Sequence, residues 1–267
     1  MRRKPARSAI AVPALGAALL AGPAFAGPPL GPGSTAYGIY VQITEHRNAV
    51  TLGPIAEIAR NLPPAYDKAV VAAPVHRIVP LIAGKTVTPS LFLNAADFES
   101  HVASKGFGID FVSTEADTLI KNINLSLMLN PPPPIAGHAI LPQPQPFLQL
   151  SARHIASTAS FTKVVPSRVT DLGSARFGGL TISGTLVGNR KLAFTGDADQ
   201  DTILFQSPTV TITLNQQTQV GLISCSPNCV FTPYSITIDA VDISLDHANI
   251  DGHSVSGEIV LGQAHAN

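Results

Sequence analysis

The sequence predicts an all-β protein, an antiparallel β-sandwich-like architecture with at most one or two short helices. Three observations carry that prediction. Apolar residues make up 45% of the chain and charged residues only 13%, a balance rich in Val, Ile and Thr that suits half-buried strands better than helices. A two-residue period runs through segments such as "TVTITLN" at 209–215, where Val210, Ile212 and Leu214 alternate with threonines, placing one face on a core and one in solvent. These segments are short and separated by Gly, Pro, Asn and Asp, as in antiparallel sandwiches.

The elements follow in chain order. Residues 1–26 read as a signal peptide cut after Ala26. Arg2, Arg3, Lys4 and Arg7 precede an Ala/Leu-rich run over 9–21, and Ala24-Phe25-Ala26 has the form of a cleavage site. A spanning helix needs about 20 continuous apolar residues, whereas Pro13, Gly16 and Gly22-Pro23 interrupt this run. The paired arginines leave twin-arginine export open beside the general secretory route. Either route makes the protein secreted, extracellular or periplasmic.

Residues 27–130 form an N-terminal β-rich half, with strands expected over 35–44, 49–58, 85–93, 106–112 and 119–129. One helix is expected over 95–105, with Asn94 as N-cap, Phe98 and Val102 stacked at i and i+4, and Gly106 as terminator. Residues 131–146 are a Pro-rich connector or long loop, because seven prolines between Asn130 and Phe147 forbid a helix and favour an extended path. Residues 147–267 form a C-terminal β-rich half, with strands over 155–165, 179–187, 191–195, 202–206, 209–215, 234–245 and 255–261. In 234–245 the apolar positions change phase, from Tyr234, Ile236, Ile238 and Ala240 to Val241, Ile243 and Leu245. That change implies a bulge or a switch between sheets near Ala240. The pattern leaves open whether the halves build one sandwich or two.

Charge narrows the partners. The chain has 17 Lys and Arg against 17 Asp and Glu, and four of the positive charges lie in the first 26 residues, so the remainder is net −4. After Lys191 there is no Lys or Arg, while Asp197, Asp199, Asp201, Asp239, Asp242, Asp246, Asp251 and Glu258 follow. Such a chain repels a phosphate backbone, which argues against nucleic acid as a partner. No second apolar run follows the first, so no transmembrane segment is expected in the mature protein.

Cys225 and Cys229 are the only cysteines, separated by Ser226-Pro227-Asn228, a tight reversal that brings them within reach of each other. In an oxidising compartment the expectation is a structural disulfide, contributing about 2 kcal/mol for so short a loop. A redox pair would favour C-x-x-C, and zinc would need two further ligands. Asp197, Asp199 and Asp201 alternate after Gly196 like the start of a calcium loop. Thr202 and Pro208 occupy the positions where the helix-loop-helix motif needs Gly and Glu, which leaves a simpler calcium turn beside an ordinary acidic turn.

His247 and His253, with Asp246 and Asp251, read as a polar hairpin loop rather than a metal site. "GHSVSG" at 252–257 is one residue too long for a nucleophile elbow, and no phosphate-binding glycine loop occurs. A glycosidase carboxylate pair meets only in three dimensions, so spacing does not test it. The absence of Trp and the count of four Tyr leave few aromatic platforms for sugar.

Five segments, "AYGIYVQI", "RFGGLTISGTLVG", "VTITLNQQT", "ITIDAVDISL" and "GEIVLGQAHAN", occur in an order that resembles the choice-of-anchor P family of exported bacterial proteins. The matching positions are Asn215-Gln216, Ala240-Val241 and Ala264-His265-Ala266. The resemblance implies a secreted or surface-exposed β-rich domain and supplies no catalytic residues. Because "AHAN" is followed by no anchor, the expectation is a freely secreted or periplasmic form.

The expected function is therefore an exported, non-catalytic domain serving an envelope, surface or extracellular interaction, with no cofactor unless calcium binds. The alternatives are an extracellular carbohydrate-active or other hydrolytic enzyme, and a calcium-dependent binding module. An enzyme should gather two or more Asp, Glu or His side chains in a concave pocket, whereas an interaction module should show flat faces or an exposed apolar patch.

Overall fold

A computed structural model of the 267-residue chain describes residues 33–45, 48–60, 65–80, 89–105, 111–129, 145–164, 168–225 and 229–267. The signal-peptide reading and most of the Pro-rich segment lie outside them. The described residues form antiparallel strands: β1 (Ser34–Glu45), β2 (Asn48–Ile55), β3 (Ile58–Arg60), β4 (Asp67–Ala72), β5 (Val75–Pro80), β6 (Pro89–Ala95), β7 (Asp97–Lys105), β8 (Phe111–Leu129), β9 (Leu148–Val164), β10 (Arg168–Ser183), β11 (Leu192–Ala198), β12 (Thr202–Gln206), β13 (Val210–Cys225), β14 (Cys229–Ile250) and β15 (His253–Ala266). A short 3-10 turn, Thr185–Val187, takes the end of the strand expected over 179–187.

The strands build two packed sheets, as expected of an all-β sandwich. One runs β12-β13-β14-β15-β1-β2 with β3 also on β1, and the other runs β11-β10-β9-β8-β6-β5 with β7 also on β8 and β4 on β7. Both sheets draw strands from either side of the Pro-rich segment. Because Leu127 pairs with Leu148, that segment joins neighbouring strands of one sheet. Between the sheets lies one large apolar core, with Ile39, Leu125, Ile155, Phe177, Ile238 and Ile259 all buried. Each such side chain contributes roughly 1.5–3 kcal/mol by leaving water.

The segment expected as a helix over 95–105 is strand instead. Phe98 pairs with Ile120 and Val102 with Ala116, and Phe98, Ser100, Val102 and Ser104 are all buried. Spacings of four satisfy a period of two as well as one of 3.6. Here the intervening inward positions are serines, which hid the alternation. β4 and β5 were not expected, because most of their residues are exposed and no apolar alternation marks them.

The phase change near Ala240 is present, and it extends across the sheet. On one side Gln216, Asp239, Gln263 and Tyr37 stand level on β13, β14, β15 and β1; on the other side Leu214, Val241, Leu261 and Ile39 do the same. The register does not slip between these rows. Asn215, Ala240, Gly262 and Gly38 therefore form a matched kink, in which each strand gains one inward residue at the same level. Asn215 and Gly262 reach it with positive φ, 52° and 66°, a region open to Gly and tolerated by Asn. At Gly38 the row must also be small, since a Cβ there would clash with the Phe98 ring.

Candidate functional site

The kink decides what the seven-stranded sheet shows on its outer face. Ordinary alternation would put Asp239 and Asp242, three residues apart, on opposite faces. With the extra inward residue at the kink, both point outward, as do Tyr37 with Tyr40 and Val260 with Gln263. Pairing aligns Tyr37, Gln263 and Asp239 in one row, Tyr40, Val260 and Asp242 in the next, and Gln42, Glu258 and Ser244 beyond it. Residues from opposite ends of the chain thus meet on three adjacent strands.

Tyr37, Tyr40 and Val260 form a small buried cluster apart from the main core. The tyrosine rings are edge to face, with centroids 6.3 Å apart and planes at 66°, a contact worth about 0.5–1.5 kcal/mol. Tyr40 Oη donates to Gln42 Oε1 at 2.9 Å, and Gln263 Nε2 donates to Asp239 Oδ1 at 2.6 Å. Tyr37 Oη, Gln263 Oε1 and Thr35 Oγ1 are buried without a hydrogen-bond partner among the described residues. An unmet buried polar atom costs roughly 1–3 kcal/mol.

Three carboxylates share this face, and its electrostatics are one-sided. Burial lifts Asp239 to about 6, against the pull of the Gln263 hydrogen bond. Asp242 is lifted to about 7 by burial, then by the charges of Asp239 and Glu258. Glu258 rises to about 7 by burial and by Asp239. Burial, followed by Asp239 and Glu258, also pushes the Tyr37 hydroxyl far above the usual tyrosine range. His265, level with Tyr37's neighbour Thr35, is lowered to about 4 by burial and is neutral at pH 7. No Lys or Arg occurs on β1, β2 or β12 to β15. Among the described residues, these strands of the face therefore carry negative charge and spare acceptors but no lysine or arginine.

Cavity and acids are separate. A groove of about 770 Å³ lies where β2 meets the β4–β5 strip, lined by Leu52, Ile55, Ala72, Val75 and Ile78 with His76 and Arg77 and with no carboxylate. Among the described residues no group of three or more His, Cys, Asp or Glu side chains is placed to hold a metal ion.

The residues singled out in the sequence fall elsewhere. Asp197 lies on β11 with Oδ1 3.6 Å from Arg176 Nε. Asp201 accepts the Gln217 backbone N–H at 2.8 Å, and the Asp199 carbonyl accepts from Thr202 Oγ1 at 2.8 Å. These contacts close the β11–β12 turn onto β13. The backbone register sets Cys225 directly opposite Cys229, around residues 226–228, which lie outside the described residues.

The His/Asp loop contracts to an Asp251-Gly252 turn, closed by Gly252 N–H on Asn249 Oδ1 at 2.8 Å, with strand on both sides. His253 Nδ1 lies 2.6 Å from Glu45 Oε1, and His247 Nδ1 lies 2.6 Å from Asp246 Oδ1.

Sequence reasoning missed two groups. One is His101, set between Asp67 at 2.9 Å and Asp117 at 3.2 Å; the Asp67 hydrogen bond, opposed by burial and helped by Asp117, raises its pKa. The other is the outer-face cluster itself. Asp239 and Asp242 flank the phase change at Ala240, a signal that places both outward.

Comparison with known protein families, with curated proteins and with solved structures finds no match.

Proposed function

We propose that the chain is an exported, non-catalytic β-sandwich that recognises an envelope, surface or extracellular partner through the outer face of its seven-stranded sheet. One observation carries the reading: the carboxylates Asp239, Asp242 and Glu258 gather on a sheet face, while the described groove holds none of them. Buried polar atoms left unpaired in the free protein, beside tyrosines, are what a partner's donors would complete. Among the described residues no helix is long and apolar enough to cross a membrane. The resemblance to the choice-of-anchor P family supports the same reading, as does the cysteine pair, which we take as a disulfide formed after export.

The test is fractionation of cells expressing tagged protein, followed by pull-down from envelope extract with the wild type and with Asp239→Asn/Asp242→Asn/Glu258→Gln. Cleaved protein outside the cytoplasm that loses its partner in the triple variant supports the proposal. Uncleaved cytoplasmic protein, or a partner retained by the variant, refutes it.

A second reading draws on the same residues. Carboxylic acids held near neutral pKa are what a general acid requires, so an extracellular hydrolase is the alternative. Hydrolysis of envelope polysaccharide by the wild type but not by Glu258→Gln would favour it over the binding proposal.

A further inference from the structure

We infer that the acidic face of β1, β14 and β15 seats a primary ammonium group on an alkyl chain, as carried by a free diamine or a lysine side chain. The inference rests on the binding reading above and gives the chemistry of what is bound. Grouped acids alone are common on solvated surfaces. Here a second observation points to a ligand, because two acceptors beside the acids are buried and unused. Tyr37 is 0% exposed and its hydroxyl has no partner, yet it lies within the field of Asp239 and Glu258. Gln263 is 6% exposed; its Nε2 is committed to Asp239, and its Oε1 is left without a donor.

These atoms and the three carboxylates all accept hydrogen bonds, and β1, β14 and β15 carry no lysine or arginine to answer them; the sheet's Arg60, on β3, stands level with Ser34. A partner must therefore bring both donors and positive charge. The acceptors are spread over three strands, Tyr37 on β1, Asp239 and Asp242 on β14, and Gln263 and Glu258 on β15, which fits the three N–H bonds of an ammonium better than the planar fork of a guanidinium. The buried Tyr37, Tyr40 and Val260 give the acids an apolar surround, which suits an ammonium carried on an alkyl stem. Asp239, Asp242 and Glu258 are only partly buried, and neighbouring Ser244 is exposed, so the carboxylates can be reached from solvent.

The titratable groups around the seat are Tyr37 and Tyr40 on β1, Asp239 and Asp242 on β14, Glu258 and His265 on β15, and Glu57 after β2, whose charge reaches Tyr37. β13 contributes the neutral Thr211, Thr213 and Gln216. As pH falls the carboxylates take up protons while an alkylammonium keeps its charge, so affinity should fall with them.

The experiment is calorimetric titration of the purified protein with cadaverine and, separately, with N-acetyl-lysine methylamide; 1-pentanol is the uncharged control. Saturable binding of an amine at pH 8, about tenfold weaker at pH 5, is expected, with no heat from pentanol. Asp242→Asn should weaken it about tenfold, the scale of one lost charged hydrogen bond. Tyr37→Phe should weaken it several-fold without lowering the melting temperature of the free protein, since the hydroxyl it removes has no partner there.

Tighter cadaverine binding identifies a free diamine, and equal or tighter lysine-derivative binding identifies a lysine side chain; both support the seat. It is overturned if neither amine saturates the protein at pH 8, if affinity is the same at both pH values, or if Tyr37→Phe binds like the wild type. A protein that retains its envelope partner but ignores both amines refutes the ammonium seat alone. One that binds amines as expected but captures no envelope partner upholds the seat and refutes the broader reading.

Discussion

Replacing Asp242 by asparagine is expected to stabilise the protein in alkaline solution and to leave it unchanged in acid. The carboxyl rises from 3.8 to about 7 on folding, chiefly through burial. Between those values the folded chain holds a proton that the unfolded chain releases, so this group's contribution to stability falls as pH rises through the window. Above the folded value its full cost is present; below the unfolded value it vanishes. At 1.36 kcal/mol per pKa unit the ceiling is about 4 kcal/mol. Solvent screening of a partly exposed carboxylate reduces the expected gain to about 1–2 kcal/mol. Asparagine keeps the shape and carries no charge. For a domain of this size the gain corresponds to a rise in Tm of roughly 2–8 °C at pH 8. Urea unfolding of both proteins at pH 8 and pH 4 measures it. Equal differences at the two pH values, or a less stable variant at pH 8, would show that the carboxylate is not desolvated on this face. A variant that gains stability while losing amine affinity would show a binding site held at a cost to the fold.

Three further predictions concern other parts of the molecule. His101→Asn should lose up to about 1 kcal/mol at pH 5.5, the scale of an exposed ion pair, and nothing at pH 9. A raised histidine pKa stabilises the fold below its unfolded value and ceases to do so once pH passes the folded one; a loss independent of pH would contradict this. Gly38→Ala should cost about 1–3 kcal/mol by forcing its Cβ against Phe98, and an unchanged urea midpoint would remove the steric account of the kink. Without reductant the mature protein should show no free thiol, and Cys225→Ser with Cys229→Ser should fold with a loss of about 2 kcal/mol; two titratable thiols in the exported protein would refute the disulfide.

The sheet was legible in the sequence where one face is apolar and the other is not. Val210, Ile212 and Leu214 revealed β13, and the phase change at Ala240 revealed the kink. Reading failed where small polar residues took inward positions, as Ser100 and Ser104 do in β7, and where strands are exposed on both faces, as in β4 and β5. The Asp251-Gly252 turn was within reach, since that dipeptide between apolar runs is a strong hairpin signal. The site was only half legible. The i, i+3 spacing of Asp239 and Asp242 across the phase change puts both on one face, but Tyr37 and Glu258 join them through strand register, which no local pattern encodes. The absence of basic residues after Lys191 pointed only away from nucleic acid. Among the described residues, it leaves the carboxylates of β14 and β15 without a lysine or arginine on their own strands.

The most direct test of the account is a 13C-detected NMR titration of the side-chain carboxyls. Asp239, Asp242 and Glu258 should titrate at about 6, 7 and 7, above the ordinary carboxylate range of about 4, and should shift downward when cadaverine is added. Three carboxyls titrating near 4 with no response to the amine would contradict the account.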